Sequence, residues 1–147
     1  MLESKSLYFI DTNIFLRIFV KERDSQYHEC SSLFDYIKRA GTNSSFYTGS
    51  VVMAELVWTL TSYYKDTKDS IGDTLDLITK TRGINMIDNY NLPKAIEIFK
   101  NKNVKFVDAL IASIPQIQSK DWTVISYDRD FDKLGVRRKE PMGVKEA

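Results

Sequence analysis

Short apolar runs alternate along the chain with longer segments of helical periodicity. The continuous apolar run over residues 7–10 predicts a strand covered on both faces, as in parallel sheets, and further strands are predicted over residues 46–48, 84–87 and 122–126. Between and after them, the periodicity predicts helices over residues 13–20, 25–39, 51–64, 71–81, 91–101 and 106–119, with a short helical turn over 131–134. A basic tail able to form an edge strand begins at Val136. This alternation, without repeats or low-complexity linkers, predicts an α/β sandwich around a mostly parallel sheet.

Polar residues and prolines mark where several of these helices begin or break. Ser25 and Ser50 are placed to cap the helices that follow them. Pro93 falls in a first helical turn, where its missing N–H does no harm. Pro115 lies inside the last long helix and is expected to kink or shorten it.

The composition limits the chemistry open to the chain. With 147 residues it is expected to form a single domain (residues 1–147) that buries its core without disulfides or a structural metal. The only cysteine and the only histidine, Cys30 and His28, exclude a disulfide framework and a Cys/His zinc site, and His28 falls on a predicted surface helix. Acid–base chemistry would therefore depend on carboxylates.

The charge balance and hydropathy add two further expectations. The 21 basic and 20 acidic residues nearly cancel, so binding of a polyanion would require local clusters of basic side chains. We find neither a signal peptide nor an apolar stretch long enough to cross a membrane, and we expect a cytoplasmic protein.

Three acids stand alone in segments that otherwise have the pattern of a protein core: Asp11, Glu55 and Asp108. A lone carboxylate in such a place costs several kcal/mol unless something pairs with it. The sequence indicates no buried lysine or arginine near any of them. A shared divalent cation would compensate all three.

Two more acids follow the last clear strand, in the stretch VISYDRDF, at Asp128 and Asp130. Asp11 and Asp128 both come just after predicted strands, and parallel strands place their carboxyl ends at the same edge of a sheet. Oxygen ligands without histidine or cysteine favour Mg²⁺ or Mn²⁺.

Each acid also has a purely structural interpretation. Asp11 could cap the helix that begins near Asn13, Glu55 could lie at an exposed rim, and Asp108 could stabilise a first helical turn. Asp128 and Asp130 could be turn formers. It is the coincidence of four such positions that favours a metal site.

The stretches FIDTNIFLRIF, SSFYTGSVVMAELVWTL, VKFVDALIASI and WTVISYDRDFDKLGV resemble the successive motifs of the PIN domain, and specifically of VapC-type toxins of toxin–antitoxin pairs. The resemblance covers nearly the whole chain, from about Leu7 to Val136. It implies a three-layer α/β/α fold and a metal-dependent endoribonuclease that uses Mg²⁺ or Mn²⁺. Only Pro115 departs from the pattern, because the third motif usually continues as an unbroken helix.

The resemblance also assigns roles to individual residues. The metal ligands and catalytic acids would be Asp11, Glu55, Asp108 and Asp128, and Asp130 would reach the metal through water. Supporting roles fall to Thr12, Asn13 and Ser126. Basic side chains near the motifs are candidates for RNA binding, namely Arg17, Lys21, Arg23, Arg129 and Lys133. The implied partners are an RNA substrate, a cognate antitoxin and a second copy of the chain in a homodimer.

Other functions fit the residues less well. A haloacid-dehalogenase-like phosphatase needs a second aspartate where this chain has Asn13. A receiver domain needs a different set of acids, and dinucleotide binding needs a glycine-rich loop that is missing. Two alternatives remain open: a non-toxic RNA-processing PIN nuclease, and a non-catalytic PIN scaffold that binds RNA or protein.

Overall fold

A five-stranded sheet forms the centre of the structure, a computed structural model that describes residues 6–20, 22–40 and 46–144. The strands are paired in the order β3-β2-β1-β4-β5, and each pair is parallel. In chain order they are β1 (Leu7–Ile10), β2 (Phe46–Thr48), β3 (Ile84–Met86), β4 (Trp122–Ile125) and β5 (Arg138–Lys139). The predicted parallel α/β architecture is confirmed, and the basic tail does supply an edge strand.

Helices connect the strands and cover the sheet. They are α1 (Thr12–Phe19), α2 (Ser25–Ala40), α3 (Ser50–Ser62), α4 (Lys68–Lys80), α5 (Leu92–Asn101), α6 (Phe106–Ala112) and α7 (Pro115–Gln118). Two 3₁₀ helices follow, Arg129–Leu134 and Pro141–Gly143. No helix within the described residues is long and apolar enough to span a membrane.

The central strand β1 and its neighbour β4 are largely buried, as the apolar run of β1 predicts. Phe9 of β1 and Val124 of β4 are fully buried. Ile10 pairs with Ile125 at the carboxyl ends of these strands. The residues that follow the two strands therefore emerge side by side at one edge of the sheet.

Two predicted helix caps are wrong by one residue. Helix α2 is capped by Asp24, whose Oδ1 accepts a hydrogen bond from the backbone N–H of Tyr27 at 2.9 Å, and Ser25 is the first helical residue. Helix α3 likewise begins at Ser50, after Gly49. The hydroxyl and the backbone N–H of Ser50 both donate to the carboxylate of Asp88, a partner from a distant loop that local patterns do not reveal.

Pro115 splits the predicted helix over residues 106–119 into two. Helix α6 ends at Ala112, Ile114 is extended, and Pro115 opens α7. The break relieves the clash of the proline ring with the preceding turn. Because Asp108 lies in the first turn of α6, the break falls beyond it and leaves its turn intact.

Candidate active site

Asp11 is both a helix cap and a buried carboxylate. It follows β1 directly and precedes α1, and its Oδ1 accepts a hydrogen bond from the backbone N–H of Thr12 at 2.8 Å. Its other oxygen, Oδ2, accepts from the hydroxyl of Ser126 at 2.7 Å. Only 3% of the residue is exposed. Asp11 therefore caps α1, and its carboxylate is also buried, as the metal-site prediction requires.

The hydroxyl of Ser126 joins the first motif to the last. While it donates to Asp11, it accepts from Asn13 Nδ2 at 3.0 Å and from the backbone N–H of Asp128 at 2.9 Å. Asn13 also connects the two motifs directly, because its Oδ1 accepts a hydrogen bond from the backbone N–H of Tyr127 at 3.3 Å. The predicted supporting residues Asn13 and Ser126 thus lie where they can orient the acids.

Thr12 contributes through its backbone and not through its hydroxyl. Its N–H caps Asp11, as described above. Its Oγ1 is buried and has no hydrogen-bond partner among the described residues.

Three carboxylates converge at the same edge: Asp108 on α6, and Asp128 and Asp130 at the start of the 3₁₀ helix Arg129–Leu134. One oxygen from each lies within 4.8 Å of the others. We call these residues the acid triad. Asp128 Oδ1 accepts from the backbone N–H of Asp130 at 2.9 Å, which holds the two together. The sequence suggested an indirect role for Asp130, but the structure places its carboxylate inside the triad.

Asp11 and Glu55 lie outside the acid triad. Asp11 is tied to it through the hydroxyl of Ser126. Glu55, in the second turn of α3, is paired with the ammonium of Lys105, with 3.5 Å between Oε2 and Nζ. The Glu55 side chain is 19% exposed, so it is mostly buried but reaches solvent.

Lys105 is the site residue that sequence reasoning missed. It immediately precedes α6, and its side chain is 60% exposed, so the prediction that no buried lysine lies near the three lone acids does not apply to it. Its position three residues before Asp108 was the available signal. The contact with Glu55, however, arises from the packing of α3 against α6, which links residues 50 positions apart.

The electrostatics of the site favour a bound cation. Burial raises the pKa of Asp108 to about 8, and the charge of Asp11 adds to the effect. Burial likewise raises the pKa of Asp11 to about 6, against the lowering effect of the Ser126 hydrogen bond. Burial would lower the pKa of Lys105, but the carboxylates of Asp108 and Glu55 outweigh it and the pKa is raised.

The residues present fit a divalent metal ion. Asp108 Oδ2 is buried and has no hydrogen-bond partner among the described residues, which is costly for a carboxylate oxygen without a cation. The triad supplies only oxygen ligands, which suits Mg²⁺ or Mn²⁺ and not zinc.

Two of the predicted RNA-binding residues are engaged away from the acids, at the connection between α1 and α2. Arg17 forms ion pairs with Glu22 at 3.5 Å and Asp24 at 3.9 Å. The guanidinium of Arg23 donates to the hydroxyl of Tyr27 and lies over its ring. Within the described residues, neither arginine makes an ion pair with a site acid.

The other predicted basic residues differ in their placement. Lys133 reaches the site, because its Nζ lies 3.0 Å from Oδ1 of Asp130. Arg129 follows Asp128 in the chain and is exposed. Lys21 lies outside the described residues.

The profile of the PIN domain family matches residues 8–136. The comparison with curated protein sequences finds no match. Among solved structures, the chain is similar to VapBC2 from Rickettsia felis, bound to a DNA fragment from its promoter, with a TM-score of 0.61 and 22% identity, covering 91% of this chain and 98% of that one.

Two further solved structures share the fold. FitAcB from Neisseria gonorrhoeae has a TM-score of 0.62 and 15% identity, covering 94% of this chain and 100% of that one. VapC20 from Mycobacterium tuberculosis, described as a toxin that cleaves the sarcin–ricin loop, has a TM-score of 0.61 and 12% identity, covering 88% of this chain and 95% of that one. At these identities the likeness establishes the fold.

Proposed function

Because the chain belongs to the PIN domain family, we propose that it is a metal-dependent endoribonuclease that hydrolyses RNA phosphodiester bonds with Mg²⁺ or Mn²⁺. The observation that carries the proposal is the buried Oδ2 of Asp108, which has no hydrogen-bond partner among the residues that the structure describes, on a residue in a group of three converging carboxylates. The proposal takes residues 1–147 as a single PIN unit and places it in the cytoplasm.

Four acids are the candidate ligands: Asp11, Glu55, Asp108 and Asp128, with Asp130 added by its place in the triad. A divalent ion held there would supply electrophilic stabilisation of the charge that develops on the phosphate. Residues around the ligands would keep them oriented, since the Ser126 hydroxyl holds Asp11 Oδ2 and the Asp130 backbone N–H holds Asp128 Oδ1.

The proposed reaction is attack of water on phosphorus, with cleavage of the bond to the 3′ oxygen, which leaves as a hydroxyl after it takes a proton from solvent. The attacking water must lose a proton, and the carboxylate of Glu55 is the proposed acceptor because it is the most solvent-accessible of the ligand candidates in the first three motifs. Histidine has no part in the proposal, since His28 is exposed on α2.

We further propose that the protein is the toxin of a VapBC-type pair, inhibited by a cognate antitoxin and assembled as a homodimer. Support comes from the similarity to VapBC2 from Rickettsia felis and to VapC20 from Mycobacterium tuberculosis, of which the latter is described as a toxin. Apolar surface for such partners exists on α3 and at its end, where Trp58 is 68% and Tyr63 is 75% exposed.

A cleavage assay on total RNA tests the nuclease proposal. Purified protein is incubated with Mg²⁺, with Mn²⁺ or with a chelator, alongside Asp11→Asn and the control Asp73→Asn, which changes an exposed acid on α4. We expect cleavage with either metal, none with chelator or Asp11→Asn, and normal cleavage by Asp73→Asn. Metal binding without cleavage under any condition would favour the scaffold alternative.

A growth assay separates a toxin from a processing nuclease. The protein is expressed with and without the neighbouring open reading frame at levels that give active enzyme. We expect growth arrest that co-expression relieves. Normal growth in the presence of active enzyme would favour the RNA-processing alternative.

A further inference from the structure

An open cleft adjoins the acid triad. Its volume is about 370 Å³, and its lining residues are Asn103, Val104, Lys105, Asp130 and Lys133. Asp130 belongs to both the cleft and the triad, so the cleft leads directly from the carboxylates. The two lysines that line it come from different parts of the chain. Lys105 immediately precedes α6, and Lys133 belongs to the 3₁₀ helix Arg129–Leu134.

Both lysines are anchored at the cleft by acids of the site. Lys105 Nζ lies 3.5 Å from Glu55 and Lys133 Nζ lies 3.0 Å from Asp130. Their side chains nevertheless remain 60% and 55% exposed. Both side chains therefore line the cleft in fixed ion pairs and are accessible to an incoming ligand.

We propose that this cleft is a phosphate subsite, in which Lys105 and Lys133 hold the backbone phosphate next to the scissile one on a single-stranded RNA. The inference rests on the proposed nuclease function and adds to it the place where the substrate backbone runs. Lys105 and Lys133 are positioning residues in this proposal, since they touch the substrate away from the bond that is cut.

The chemistry of the cleft favours a phosphodiester. Two ammonium groups across an open, polar space attract an anion, and a lysine binds a phosphate as a point charge. The carboxylates beside them would repel an anion by themselves, but a cation bound among the acids would neutralise that repulsion. A nucleic-acid backbone carries one phosphate after another. One phosphate could therefore lie at the cation site while the next one lies between the lysines.

The first test measures the salt dependence of RNA binding. Lys105→Gln, Lys133→Gln and the double variant are made in the Asp11→Asn background, and binding of a labelled single-stranded RNA is followed between 50 and 200 mM salt. Loss of the one phosphate contact that the two lysines share is expected to reduce the slope of log K against log salt by about 0.7, so that the loss of affinity across this range shrinks about 2.6-fold in the double variant. Each single variant should show part of this reduction.

Two further variants separate charge from structure. Lys105→Arg keeps the positive charge and should restore the slope. Lys80→Gln is the matched control, because Lys80 also pairs with an acid but lies at the end of α4, just before β3 and thus at the opposite edge of the sheet. It should leave the slope unchanged.

A second readout uses the cleaving protein. Replacement of Lys105 or Lys133 in the wild-type background should raise KM more than it lowers kcat, because the subsite binds the substrate away from the reacting atoms. Unchanged slopes in a protein whose wild type cleaves RNA would overturn the subsite alone. A wild type that neither binds nor cleaves RNA would overturn the nuclease function and the subsite with it.

Discussion

Replacement of Asp108 by asparagine should stabilise the metal-free protein at alkaline pH while it abolishes metal-dependent activity. Asp108 is 1% exposed, and its pKa is raised from 3.8 to about 8. The folded state therefore binds this proton more tightly than the unfolded state does. The stability that the group contributes is fully present below pH 4 and is lost as the pH rises through 8.

The size of the effect follows from the two pKa values. At about 1.4 kcal/mol for each tenfold change in proton affinity, Asp108 alone makes the metal-free protein about 5 kcal/mol less stable at pH 8 than at pH 4. Asparagine has the shape of the protonated carboxyl and carries no charge, so the variant should lack this loss. In the variant, the free energy of unfolding should still fall by about 2 kcal/mol as the pH rises from 4, because Asp11 loses its proton. This fall should end near the Asp11 pKa of about 6.

Urea denaturation in chelator, from pH 4 to pH 8.5, measures both curves. The wild type should decline across the whole range, the Asp108→Asn variant should level off above about pH 6, and Asp73→Asn should follow the wild type. Addition of Mg²⁺ should stabilise the wild type most at high pH and leave Asp108→Asn unaffected, because binding requires the ionised carboxylate. A metal-free wild type equally stable at pH 5 and pH 8 would refute the reasoning.

The remaining predictions concern the support of the site and the backbone. Ser126→Ala removes the shortest hydrogen bond to Asp11 and should cost about 1–3 kcal/mol in urea denaturation and weaken Mg²⁺ binding; unchanged binding would contradict the supporting role. Tyr127→Phe removes a 2.6 Å hydrogen bond to a glutamate on α2 and should cost about 1 kcal/mol. Gly83→Ala should destabilise the protein by more than about 1 kcal/mol, because φ is +103° and the added Cβ would lie 2.6 Å from a carbonyl oxygen. Gly72→Ala should stabilise it by about 0.5–1 kcal/mol, because the new Cβ would lie in open space on α4. Equal thermal midpoints for the two variants would contradict this account.

The amino-acid sequence by itself determined the order and type of the elements. The apolar runs became parallel strands, and the predicted helices differ from the observed ones by a few residues at their ends. Some helix ends differ because a residue distant in sequence binds them. At the start of α3, for example, the backbone N–H of Ser50 donates to Asp88 from another loop. Even the break at Pro115 was predictable, since the geometry of proline acts on its own helix.

Of the three acids that the sequence placed in core-like segments, two are fully buried. Asp11 and Asp108 stand in apolar segments, and an element that packs its apolar face inward carries the single acid on that face with it. This physical rule needs no knowledge of neighbouring elements. The link between the first and last motifs followed too, because parallel strands bring Asp11 and Ser126 to one edge.

Only the tertiary structure decided which side chains meet. It placed Asp130 in the acid triad, left Glu55 outside it, and brought Lys105 to Glu55 across 50 positions of sequence. Distances of a few ångströms between α3, α6 and the 3₁₀ helix depend on how these elements pack together, and no periodicity within a single element encodes them. The charge balance of the site, and the cleft that Lys105 lines beside it, therefore depend on the tertiary structure.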